Sequence, residues 1–235
     1  MDSYIIEWLN LVVRWIHVIT GIAWIGASFF FNWLDSQITP PENPQPKVEG
    51  ELWMIHSGGF YQLKKTRISP SEIPRVLHWF KWEAYSTWIS GIFLLGIVYY
   101  TGSGVYLIDS EIADLSYGMA VSISLGTILV SWLIYDFIWA SALGEKGWIT
   151  GMISFLLLFG IIWWLHQWFG SRAAYIHVGA VMGTLMVGNV WRRIIPSQTK
   201  LVEAVKAGKT PEASLGIKAK QRSLHNNYMT LPVVF

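Results

Sequence analysis

The chain has 235 residues, 53% of them hydrophobic and only 14% charged, with 15 tryptophans and no cysteine. Soluble domains carry about 25% charged residues, so this balance indicates a polytopic membrane protein. The missing thiols exclude disulfides, zinc–thiolate centres, iron–sulfur clusters and covalently attached c-type haem, and the net charge of +2 matters less than where the charges sit.

The N-terminus is not a signal peptide, because Asp2 and Glu7 stand where a basic region would be and no small-residue cleavage site follows. A membrane span needs ~20 predominantly apolar residues. Runs at 11–34, 79–100, 117–141, 148–169 and 173–195 meet that need, which predicts an all-α transmembrane bundle of five full spans. A sixth apolar run begins at His225-Asn226-Asn227-Tyr228-Met229-Thr230-Leu231-Pro232 and stops at Phe235. A half-inserted helix leaves its backbone unpaired, so the sequence reads as a fragment, or as one subunit completed by another.

Two connectors stand out. The first, 35–78, contains Pro40-Pro41-Glu42-Asn43-Pro44-Gln45-Pro46, which cannot be helical, and then 51–61, too short to span and read as a surface or re-entrant segment. The second, 196–224, reads as a short surface helix, a turn-rich loop and a basic step at 218–222. Lys47, Lys64, Lys65, Arg67 and Arg75 lie in the first, and Lys200, Lys206, Lys209, Lys218, Lys220 and Arg222 in the second. The 101–116 loop holds Asp109, Glu111 and Asp114 and no base. Basic loops stay in the cytoplasm, which sets the N-terminus outside.

With that orientation, His17 of the first span and His177 of the fifth both lie about 8–10 Å in from the outer face. Two histidines at one depth could hold a b-type haem from either side, with Gly21, Ala180 and Thr184 making room. The plainer readings are that His17 hydrogen-bonds a neighbouring helix, that His177 faces water, and that Gly179-x-x-x-Gly183 is ordinary close packing. On the cytoplasmic side, His78 precedes the second span and Glu83 lies one turn inside it. Glu83, Thr87 and Ser90 share a stripe facing the bundle interior, where a carboxylate suits accepting a proton or bridging to a base. Asp136 sits on the same side, paired with a base from the first connector. There is no His-Glu-x-x-His, Walker or Gly-x-Ser-x-Gly motif. Nothing suggests nucleic acid, and the basic run from Arg192 onward matches anionic lipid.

Several stretches carry a family resemblance: Arg14-Trp15-Ile16-His17-Val18 with Gly21-Ile22-Ala23-Trp24-Ile25-Gly26, residues 79–91, Tyr175-Ile176-His177-Val178-Gly179-Ala180 through Asn189-Val190-Trp191, and the run from His225 to Pro232. Together they resemble the membrane domain of bacterial membrane-bound urate oxidase over nearly the whole of 1–235. In that family an eight-helix membrane domain precedes a cytochrome c domain, and urate is oxidised to 5-hydroxyisourate without oxygen as direct acceptor. This chain departs from the pattern in ending early and in having no Cys-x-x-Cys-His. The start of the first span resembles, more distantly, haem-binding proteins of the protoporphyrinogen-oxidase and copper-resistance types.

The resemblance implies a protein of the bacterial inner membrane that oxidises urate. In that reading Glu83 and His78 take protons, Asn226 and Asn227 hold the purine, and haem b between His17 and His177 passes electrons to a cytochrome c outside. The alternatives are a proton-coupled transporter using Glu83 and Asp136, or a non-catalytic haem-binding electron-transfer or assembly subunit.

Overall fold

The computed structural model describes residues 3–67 and 72–235. The chain is predominantly helical, in the order α1 Ser3–Gln37, a β-hairpin of β1 Val48–His56 and β2 Gly59–Thr66, α2 Trp82–Leu95, α3 Tyr117–Ala140, α4 Gly147–His166, α5 Ser171–Asn189, α6 Ile195–Lys206 and α7 Ala213–Val234. Among the described residues, four helical stretches are long and apolar enough to cross a membrane: Tyr4–Gln37, Tyr117–Ala140, Gly147–His166 and Ser171–Lys206. Their outward faces leave Trp15, Ile22, Leu129, Phe155 and Trp163 exposed, which suits a hydrocarbon solvent and not water. The stretch at 79–100, expected to be a span, is helical over α2 and a following π-helical turn, Gly96–Tyr100, but is not one of those four membrane-length apolar helices.

The main core joins α3, α4 and α5 with the turn after α2, around Tyr99, Leu165, Phe169, Ala174 and Val181. A second cluster, with Ala84, Val187 and Val190 at its centre, docks α2 on α5. Here the structure relocates a close contact. A Cβ added at Gly179 or Gly183 would meet nothing, whereas one at Gly188 would overlap the indole of Trp132. Gly188→Ala is therefore expected to destabilise the bundle by about 1–3 kcal/mol through overpacking. Gly183→Ala should be neutral or slightly stabilising, and thermal unfolding of the two variants in detergent checks the contrast.

The connector 35–78 is more ordered than its prolines suggest. Ser57 and Gly58 both adopt positive φ, 52° and 77°, the requirement of a two-residue hairpin turn whose twist matches the strands. Pairing runs from His56↔Gly59 through Trp53↔Gln62 to Val48↔Thr66, with an irregularity at Val48/Gly50. Gly50 is needed there, because a side chain would collide with Ile38 where Thr39 bridges to Glu51. The hairpin's ion pair to α1, Lys65 Nζ to Asp35 Oδ1 at 3.0 Å, is exposed on both sides. Lys65→Ala is expected to change unfolding stability by under ~1 kcal/mol, because such pairs gain little in water.

In 196–224 the expected surface helix is present as α6, while the stretch expected to be a turn-rich loop and a basic step is helical from Ala213 onward. The chain continues from α5 through a π-helical turn, Val190–Ile194, into α6, with Pro196 in the first turn, where its missing N–H breaks nothing. It reverses at Gly208 and returns along α7.

Candidate functional site

Helix α7 buries Ala219, Arg222, Asn226 and Thr230, which follow one another at three- and four-residue spacing and so form one face. That face meets α5 and α3 and carries a closed polar network. Asn189 Nδ2 donates to Tyr135 Oη and to Asn226 Oδ1, both at 2.9 Å, and Asn226 Nδ2 donates to the carbonyl of Met186 at 3.0 Å. Arg222, only 3% exposed, donates to Asn189 Oδ1 at 3.4 Å and to Asp136 Oδ1 at 3.3 Å, with its guanidinium 5.0 Å from the Tyr135 ring. Arg193 grips the same carboxylate through both branches, at 2.7 and 2.5 Å. Two guanidiniums thus share one carboxylate, so the cluster carries an excess positive charge.

The network favours one tautomer. Tyr135 Oη accepts from Asn189 and is 2.8 Å from His225 Nδ1, the arrangement in which the phenolic hydrogen is donated to that nitrogen. The imidazole hydrogen of His225 is then on Nε2, which has no hydrogen-bond partner among the described residues. The Trp139 ring lies 4.0 Å from the His225 ring, and its Nε1 donates to Ser154 at 2.9 Å. Beside these groups a groove of about 810 Å³ runs between α3, α4, α5 and α7. Tyr135, Trp139, Ser131 and His225 line it together with Val130, Phe155 and Leu185.

Of the residues selected from sequence, Glu83 and His78 do come together, with Glu83 Oε1 3.6 Å from His78 Nε2. Glu83 Oε2 is buried with no hydrogen-bond partner among the described residues. Asn227 donates to Asn32 on α1 at 2.7 Å, while Asn226 has both ends of its amide committed inside the network. Asp136 needs a correction: its bases come from Arg193, in the turn after α5, and from Arg222 of α7, not from the first connector.

His17 packs α1 against α2, its Nδ1 3.0 Å from the Thr87 carbonyl and 3.2 Å from Ser90 Oγ, so the Glu83–Thr87–Ser90 stripe turns its far end to α1. His177 is 0% exposed, with Nε2 2.5 Å from Ser124 Oγ, Nδ1 2.7 Å from the Ala173 carbonyl, and its ring stacked on Phe169. An axial ligand needs a free nitrogen facing an open plane. His177 has neither, so this donor set does not fit a haem held between His17 and His177.

Arg222, Asn189 and Tyr135 were not singled out as site residues from the sequence. The signal for Arg222 was present: the spacing from Ala219 through Thr230 is a single helical stripe, hidden by dividing the chain at 224. For Asn189 and Tyr135 the polar partners lie 37 and 90 residues away, beyond any local pattern.

The described residues form a helical bundle with an internal polar cluster and four helices long and apolar enough to cross a membrane, which defines the class. More narrowly, the chain belongs to the urate oxidase N-terminal family, which matches residues 3–235. No curated protein and no solved structure matches it.

Proposed function

We propose that this chain forms the membrane part of an enzyme that oxidises urate to 5-hydroxyisourate and delivers the electrons to a cytochrome c on the outer side of a bacterial inner membrane. Family membership supports urate as the substrate. The observation that carries the chemistry is Glu83 Oε2, a carboxylate oxygen buried without a donor. A buried carboxylate oxygen without a donor is unfavourable until it gains an N–H partner. Urate supplies ring N–H groups that can fill that role. Glu83 takes a proton from the purine, with His78 orienting the carboxylate from 3.6 Å. Water adds to C5, forming the C5–O bond, and two protons and two electrons leave in all.

Membranes holding the protein, given urate and ferricytochrome c, test the reading. The expected result is loss of urate with two cytochromes reduced per urate. Urate taken up but recovered unchanged would replace the oxidase reading with the transport one, and unchanged urate with no uptake would leave a non-catalytic subunit.

A further inference from the structure

The groove beside His225 is chemically unlike a urate site. Urate presents hydrogen-bonding groups on every edge, whereas the groove walls are Ile123, Val130, Ile134, Phe155, Leu158 and Val181. Polar groups gather where α3, α4 and α7 meet. Ser131 is 8% exposed, lines the groove and has no hydrogen-bond partner among the described residues. It lies one helical turn, ~6 Å, from Tyr135. That tyrosine turns the Nε2–H of His225 into a donor without a protein acceptor. The Trp139 indole lies against the same imidazole.

The occupant that matches is flat at one end, accepts hydrogen bonds through uncharged oxygens, and is apolar over the rest of its length. A phospholipid or fatty-acid headgroup fails on charge, because Arg222 is buried behind Tyr135 and already bonded to Asp136 and Asn189. We infer that the groove is a binding site for an isoprenoid quinone, its ring carbonyls accepting from Ser131 Oγ and His225 Nε2 and its chain lying along the apolar wall. About 810 Å³ is in the range of small-molecule sites. Gly126, Gly151 and Gly160 line it, and a Cβ at any of them would enter open space.

Its role rests on the urate reading. Urate and water give 5-hydroxyisourate, two protons and two electrons, the new C5–O bond coming from water. The quinone takes two electrons and two protons to become the quinol, so urate, water and quinone give 5-hydroxyisourate and quinol. A lipid-soluble carrier then stands ahead of any cytochrome c.

The test uses the whole chain in detergent micelles, with decylubiquinone as probe and decylbenzene, which has the chain without the carbonyls, as control. Ligand that binds only the folded state raises the unfolding temperature saturably. Decylubiquinone should do so and decylbenzene should not. Ser131→Ala should weaken the response about tenfold, the loss of one hydrogen bond. Gly151→Leu, which fills open space, should abolish the response while unfolding as cooperatively as wild type without ligand, and Gly126→Leu repeats that test further along the groove. Equal stabilisation by decylbenzene, or a wild-type response in both folded leucine variants, would overturn the site. Urate is then added as a separate arm. Quinone binding without urate-driven quinol formation sinks the urate role and leaves the site. Cytochrome reduction by urate with no quinone binding does the reverse.

Discussion

Asp136→Ala is expected to destabilise the bundle by about 3–5 kcal/mol, the range for removing one partner of a buried ion pair. The carboxylate is the single acid between two guanidiniums. Their situations differ: the Arg193 side chain is 38% exposed and can turn to water, but that of Arg222 is 4% exposed and cannot. Most of the effect therefore comes from Arg222, left charged in an apolar interior with the Asn189 amide, the backbone carbonyl of residue 136 and Tyr135 as its neighbours and no counter-charge among the described residues other than the one removed. A double variant, Asp136→Ala with Arg222→Met, removes the stranded charge and should recover much of the loss. Adding Arg193→Met instead should recover little. Denaturant unfolding of the singles and doubles in one detergent gives the coupling directly. A loss below about 1 kcal/mol in Asp136→Ala would mean that water reaches the cluster and that it is not a buried network.

The helices were legible from composition and run length, because the need for ~20 apolar residues is set by the bilayer and leaves a mark in any window. The hairpin was not, although its Ser57-Gly58 turn is the kind of dipeptide that permits two positive φ angles. The prolines at 40, 41, 44 and 46 drew attention to loop and away from the pairing partners at 48–66. Glu83 and His78 are legible together because they are five residues apart in the chain, where the segment entering α2 keeps them close. The Arg222–Asp136–Asn189–Tyr135 cluster joins three helices, and no periodicity reports which faces of separate helices will meet. Depth along a span has the same limit. Distance along each span puts His17 and His177 at one level, yet each is used within its own helix pair, one with α2 and the other with α3. A side chain's depth can be counted from sequence, but its direction is decided by packing.

Glu83→Gln is expected to lower urate turnover by about 10²–10⁴, the usual contribution of a positioned general base, with a much smaller change in KM. The substitution keeps the side chain's shape and removes only its capacity to take the proton, so the loss should appear in kcat. A purely structural role predicts another pattern. Glu83 Oε1 is 3.6 Å from an exposed His78, a geometry worth at most ~1 kcal/mol, and Oε2 has no partner to lose. Glutamine should thus leave the unfolding temperature within a few degrees of wild type, because a buried amide needs less solvation than a buried carboxylate. His78→Ala should reduce turnover by less than about tenfold, since a contact this long and this exposed orients the carboxylate without carrying the proton. Kinetics and unfolding measured on the same preparations separate the two accounts. A Glu83→Gln protein that unfolds early and turns over normally when cold would make Glu83 a packing residue. One that unfolds at the wild-type temperature and is nearly inactive would identify it as the proton acceptor.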